Sequence, residues 1–428
     1  MHSQEHILNN IKEHLYYFEV RTDPEDEWGE RDVMKLSIGC TLYFYNGHKP
    51  EIRALMPKLL KEFYDQFGQY FTGGYMVNKD SQKVKTGKLT PRLLEKCFDA
   101  KTWQDVDEAM EWTLDNPDSE ATTGYRFSGL LQDEYTSWDD LSSMQLAIPY
   151  DKLDILDAWL AFIKKICQHI RMHYGYVGYH SLLPDQYHAY EEHQTPIAYR
   201  FYGCAIDRGF GGVTFQKPPL GIKGINWLTI IGKPFVEQMG GEAELTNKAK
   251  AYGLDVEILG ENMLIQAGPY PDICDNEDLP MNPYYVAVNH LLKPIRKATI
   301  GSLHMSSMTG KAVLEEAASD EWLRRFDQYP IPEPLSSNEN LLTPSPVVTP
   351  PPSRYTGYSV AEGQVCQETG HYECPRQQGR TILLMQGQPL KGEKHNEMGA
   401  IIWYKLTVEA EREYLDNRKK NPLTGNWE

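Results

Sequence analysis

The sequence predicts an α+β fold: a mixed or antiparallel sheet packed with helices, then a small C-terminal β-rich module after a proline-rich linker. Three observations predict it. Helical and strand periodicities mix without a steady βαβ alternation, which argues against a doubly wound parallel sheet. Residues 220–298 read as strand, helix, helix, hairpin, loop and helix. Residues 330–352, PIPEPLSSNENLLTPSPVVTPPP, hold eight prolines and so read as a partly extended linker. The expected organisation is an α+β domain over 1–329, a linker over 330–353 and a β-rich module over 354–428.

The elements follow in order. Residues 3–15 form an amphipathic helix with Ile7, Leu8, Ile11 and Leu15 inward, and a strand follows over 16–21. An acidic loop covers 23–32, and residues 36–45 alternate as a strand. Residues 51–69 make a helix, because Ile52, Leu55, Met56, Leu59, Leu60, Phe63 and Phe67 share one face. Gly73, Gly74 and the lysine-rich 79–88 read as turn and loop. Two helices are expected over 91–98 and 103–115, and strands over 122–131 and 143–149. The helix over 152–172 should bury Leu153, Leu156, Leu160, Ile163, Cys167 and Ile170. A strand over 174–180 and a polar helix over 185–194 come next. Residues 225–231 are apolar and β-prone. Pro234 opens a helix that Gly240-Gly241 ends, and a second helix over 242–252 ends at Gly253 in a left-handed cap. Residues 254–258 and 263–267 form a hairpin around Gly260. Asn282-Pro283 is an N-cap followed by an N1 proline, opening a helix that stops near Pro294. Beyond the linker, 381–385 and 400–406 read as strands and 409–418 as a helix.

Bulk properties narrow the function. The 428 residues are 41% hydrophobic and 24% charged, with a formal net charge of −17. Ten basic and ten acidic residues balance over 353–428, so the whole excess lies before residue 353. Such a surface repels nucleic acid and anionic membrane and attracts a basic protein. No apolar run reaches the length of a bilayer span, and the first fifteen residues lack the basic and apolar parts of a secretory signal. A cytoplasmic location is therefore expected. Seven scattered cysteines are no disulfide framework.

Four blocks carry a resemblance: GIKGINWLTIIG, MGG, LIQAGPYP and YYVAVNHLLKPIR, in that order between Gly221 and Arg296. Together they resemble the type VI secretion immunity family of bacteria, over roughly residues 15–330. The resemblance implies an antitoxin that binds an effector injected by sibling cells, with nucleases a frequent target. It implies fold positions rather than catalytic ones. AEGQVCQETGHYECP, residues 361–375, is similar to a small module appended to such proteins, with His371-Tyr372 where two tryptophans are common.

Several constellations could carry chemistry. Cys366, His371, Cys374 and His395 could bind zinc, but no Cys-x-x-Cys pair is present. Packing, or a Cys366–Cys374 disulfide, reads better. Asp272, Asp275, Glu277 and Asp278 form an acidic loop without the ligand order of a calcium site. His169, His173, His180, His188 and His193 cluster with Glu191 and Glu192, and His169 and His173 could share a helix face. The HExxH glutamate is missing, and so are a phosphate loop and a nucleophile elbow. No cofactor, metal or catalytic residue is expected. The acidic blocks remain: Asp105, Asp107, Glu108, Glu111 and Asp115, then Asp133, Glu134, Asp139 and Asp140 around Tyr135 and Trp138. Aromatic anchors ringed by charge suit a protein–protein hot spot. The first expectation is thus a non-enzymatic inhibitor docking these residues on a basic toxin. A hydrolase or metalloenzyme built on the 169–193 cluster is the alternative, and an adaptor recruiting a partner is the third reading.

Overall fold

The computed structural model describes residues 3–23, 25, 29–77, 87–134, 141–185, 190–206, 221–277, 280–304 and 314–334, then 355–361, 366, 369–374, 380–386 and 402–406. Two short helices, α1 (Gln4–Glu13) and α2 (Leu15–Phe18), lead to β1 (Val20–Arg21) and β2 (Asp32–Phe44). Then come α3 (Pro50–Phe67), β3 (Gly73–Val77), β4 (Gly87–Lys88), α4 (Pro91–Phe98), β5 (Met110–Asp115), β6 (Arg126–Leu131) and β7 (Ser142–Pro149). Helix α5 (Leu156–His169) precedes β8 (Met172–Leu182), and α6 (Thr195–Arg200) precedes β9 (Leu228–Gly232). Next are α7 (Lys233–Gln238), α8 (Glu242–Ala251), β10 (Asp255–Leu259), β11 (Asn262–Gln266), α9 (Pro283–Leu292) and α10 (Glu316–Leu323). The last strands are β12 (Tyr355–Ala361), β13 (Gly370–Cys374), β14 (Arg380–Leu384) and β15 (Ile402–Leu406).

The fold is α+β, and its main sheet is antiparallel throughout. Eleven strands run in the order β10-β11-β9-β8-β2-β7-β6-β5-β3-β4, with β1 also on β2. Strand β2 is central because it is long, at 13 residues, and buried on both faces. Helices α3 and α5 lie side by side on one face, with the Phe63 and Phe162 rings 5.3 Å apart. The sheet meets them with Phe127, Leu146, Cys40 and Val177, which are in register across β6, β7, β2 and β8. The opposite face is polar. Thr113, Ser128, Gln145, Thr41, Tyr176 and Thr229 form one buried row across six strands. The four C-terminal strands make a separate antiparallel sheet, in the order β12-β15-β13-β14, with Tyr372, Leu384 and Leu406 buried.

Local signals held where the chain carries its own cap. Thr90 accepts a hydrogen bond from Leu93 N at the start of α4, and Asn282 accepts one from Tyr284 N at the start of α9. Gly253 takes φ +69° after α8, the left-handed conformation that glycine adopts without steric cost.

Several expectations fail. The strand over 16–21 is mostly α2, with only Val20 and Arg21 extended. The helix over 103–115 is a 3-10 turn at Ala100–Trp103, a loop and strand β5. Met110, Trp112 and Leu114 alternate with Glu111, Thr113 and Asp115, which is strand periodicity. Gly73 and Gly74 start β3 rather than a turn. Helix α5 begins later than expected, after a 3-10 turn at Leu153–Ile155, and it buries Trp159, Phe162, Ile163, Ile166 and Cys167 while Leu156 and Leu160 are half-buried. Of the helix over 185–194, residues 186–189 lie outside the described residues and Glu191–Gln194 is a 3-10 turn. The expected helix over 409–418 also lies outside them.

Candidate functional site

Strand β5 splits the acidic block into two ends. Its six residues separate them by roughly 17 Å at the usual rise of an extended chain. The loop entering β5 carries Asp105, Asp107 and Glu108. The segment leaving β6 carries Asp133 and Glu134. Since β5 and β6 are antiparallel, these segments meet at one corner of the sheet, where Glu134 N donates to Val106 O at 3.1 Å. Asp107 and Glu134 are exposed, and Asp105, Glu108 and Asp133 are half-buried.

The corner is built on the start of α3. Arg53 is 1% exposed. Its Nε donates to Gly47 O at 3.0 Å, and its Nη2 donates to Glu108 O at 2.7 Å and Gln132 O at 3.1 Å. Burial lowers its pKa to about 10, with the charges of Asp105 and Asp133 acting in the other direction, so it stays cationic at neutral pH. Ser142 Oγ accepts from Gln132 N at 2.9 Å. A Cβ at position 47 would sit 2.0 Å from that same Oγ, so only glycine lets the β2–α3 turn close over the corner. Trp103, fully buried, anchors the entering loop: its indole N–H donates to Cys97 O at 3.0 Å and its ring meets Trp112 edge-on.

The far end of β5 is different. Asp115 is 4% exposed, and Arg126 Nε and Nη2 donate to its Oδ2 at 2.9 and 2.7 Å. Burial raises the Asp115 carboxyl pKa, and Arg126 acts against it. Asp118 pairs with Arg31, and Glu120 accepts from the Tyr190 hydroxyl. Asp115 therefore leaves the set of candidate docking residues: its carboxylate is turned into the interior and neutralised there. Glu111, mid-strand, accepts from the Tyr75 hydroxyl, which also lies 3.2 Å from Asp185 Oδ1. Tyr135, Trp138, Asp139 and Asp140 lie outside the described residues.

Among the described residues the histidines are not gathered on one helix face, and His188 lies outside them. His169 ends α5 while His173 and His180 lie in β8, so no helix face carries His169 and His173 together. His173 and His180 stand seven residues apart on one strand, about 23 Å at the usual rise. Burial, then Lys297, lowers the His173 pKa to about 4. His304 Nε2 lies 2.9 Å from Gln194 Oε1 inside the fold. In the 272–278 loop, Asp272 accepts from Cys274 N and Asn282, and Asp275 and Glu277 pair with Arg200. Those carboxylates brace the chain, and Asp278 lies outside the described residues. Cys366 is buried with its Sγ 3.4 Å from the Tyr372 hydroxyl. Among the described residues, no three His, Cys, Asp or Glu side chains converge as a metal site, and no helix is long and apolar enough to cross a membrane.

Sequence reasoning missed Arg53. A signal existed: position 53 precedes Met56, Leu60, Phe63 and Phe67 at helical spacing, so it continues the buried stripe of α3.

No curated protein matches the chain. A solved structure described as Pseudomonas aeruginosa T6SS protein PA0821 has a similar fold, with a TM-score of 0.60 and 22% identity, covering 76% of this chain and 91% of that one. The family model described as type VI immunity for VRR-NUC (TsiV) matches residues 55–326, the span that runs from α3 through the acidic corner to the end of α10. The chain belongs to the TsiV family of type VI immunity proteins.

Proposed function

We propose that this immunity protein neutralises a VRR-NUC effector by direct contact, and that the acidic corner is its docking face. The observation behind the reading is the convergence of Asp105, Asp107, Glu108, Asp133 and Glu134 from two loops onto one corner. A nuclease must present a basic groove to its phosphate backbone, and a preformed acidic corner is complementary to such a groove. Tyr135, Trp138, Asp139 and Asp140 come next in the sequence after Glu134, and we count them with the corner as candidate docking residues on their chemistry alone. Charge speeds encounter and selects the partner, whereas affinity rests on the aromatic anchors. No cofactor or catalytic residue enters this function, and the protein acts in the cytoplasm, where an incoming nuclease meets DNA.

Stopped-flow association with the cognate effector tests this reading. Reversing Asp139 and Asp140 to Lys should slow association and flatten its salt dependence, and Trp138→Ala should raise the dissociation rate. An unchanged association rate and salt slope, both on this reversal and on Asp107→Lys with Glu134→Lys, would remove the corner from the interface.

A further inference from the structure

A buried guanidinium normally meets a carboxylate. Arg53 instead donates its Nε and Nη2 bonds to main-chain carbonyls. Gly47 lies in the turn between β2 and α3, Glu108 in the loop entering β5 and Gln132 in the segment leaving β6. One side chain thus ties three separate stretches of backbone, two of which present the acids of the corner. The fork of an arginine suits this task, because its planar donors point at fixed angles to several acceptors. A lysine ammonium keeps the charge and loses that geometry. Among the described residues Arg53 Nη1 is buried with no hydrogen-bond partner, so the guanidinium is held chiefly by its bonds to these carbonyls.

We infer that Arg53 is the positioning residue of the docking corner: by bonding Glu108 O and Gln132 O it presets the two acidic loops in the arrangement that the effector meets. The inference rests on the docking reading above. Preset loops lose less freedom on binding, which slows dissociation. Long-range steering depends on the number and sign of surface charges, so association keeps its salt dependence when only the loop order is lost.

The test uses the full-length chain and its cognate VRR-NUC effector, with Arg53→Lys as the variant. The expected result has three parts. Amide exchange over 104–109 and 132–134 accelerates, while β2 and β7 keep their protection. Dissociation speeds up by about tenfold. The salt slope of association stays as in the parent. If Arg53→Lys loses protection throughout the sheet, Arg53→Gln, which retains amide donors at the same place, takes its role with the same readouts. Unchanged exchange in both loops overturns the inference. Faster exchange with unchanged dissociation overturns it too, and Asp107→Lys with Glu134→Lys then shows how far the damage reaches. If that reversal slows association, the docking face stands without Arg53; if it does not, the docking reading falls as well.

Discussion

The two ends of β5 carry the same kind of sequence and do opposite things. Asp105, Asp107 and Glu108 enter the strand, Asp107 exposed and the other two half-buried, beside a buried arginine that bonds the backbone. Asp115 leaves the strand, and its carboxylate is buried against Arg126. At the near end the cation bonds the main chain, Asp107 and Glu134 are exposed, and the half-buried Asp105 and Asp133 act on it by charge. At the far end the cation is consumed by the acid. A run of carboxylates therefore says nothing about docking until the position of each cation is known.

That contrast is easiest to break at the buried end. Removing one partner of a buried pair leaves an uncompensated charge, so Asp115→Ala or Arg126→Met should cost about 3–5 kcal/mol in urea unfolding. The double change Asp115→Leu with Arg126→Met should recover most of that loss, since burial already opposes the charged carboxylate. A loss below about 1 kcal/mol for either single change would mean that the two ends are not distinct.

A carboxylate elsewhere sharpens the point. Asp327 is bonded by Arg296, Asn289 and Lys293 and its side chain is 20% exposed. Partial burial raises its pKa, but those hydrogen bonds and the Arg296 charge outweigh it, and the net value falls well below the usual carboxylate range. A lowered folded pKa contributes stability that is present above the unfolded value near 3.8 and lost as pH falls through the folded one. Asp327→Asn should cost on the order of 2 kcal/mol at neutral pH, with the difference from the parent closing as pH drops below about 4 in acid titrations of stability. A difference that stays constant down to pH 2, about two units lower, would contradict this account.

Smaller effects are expected at the exposed end. Asp107→Lys with Glu134→Lys should slow association with the effector about tenfold at low salt and shift unfolding by less than about 0.5 kcal/mol. The smallest concerns the chain beyond the linker. Limited proteolysis should cut within 332–353, and the 1–329 fragment should keep both ends of β5 as they are, with stability within about 0.5 kcal/mol of the parent. A large fragment that unfolds would argue against separate folding units.

How much was legible depended on where the deciding partner lay. The sequence by itself determined the α+β class, the hairpin of β10 and β11, the caps at Asn282 and Gly253, and the family blocks, because each depends on neighbours a few residues away. It also carried the period-two alternation of Met110, Trp112 and Leu114, a strand signal that the surrounding acids made easy to read as helix. Only the tertiary structure decided that Trp159 rather than Leu160 faces the core, that His173 and His180 stand far apart along β8, and that one acidic block has two fates. The physical reason is distance along the chain. Arg53 reaches Glu108 and Gln132 across 55 and 79 residues, and their carbonyls become its acceptors only once the antiparallel order of β5 and β6 has brought two loops to one corner.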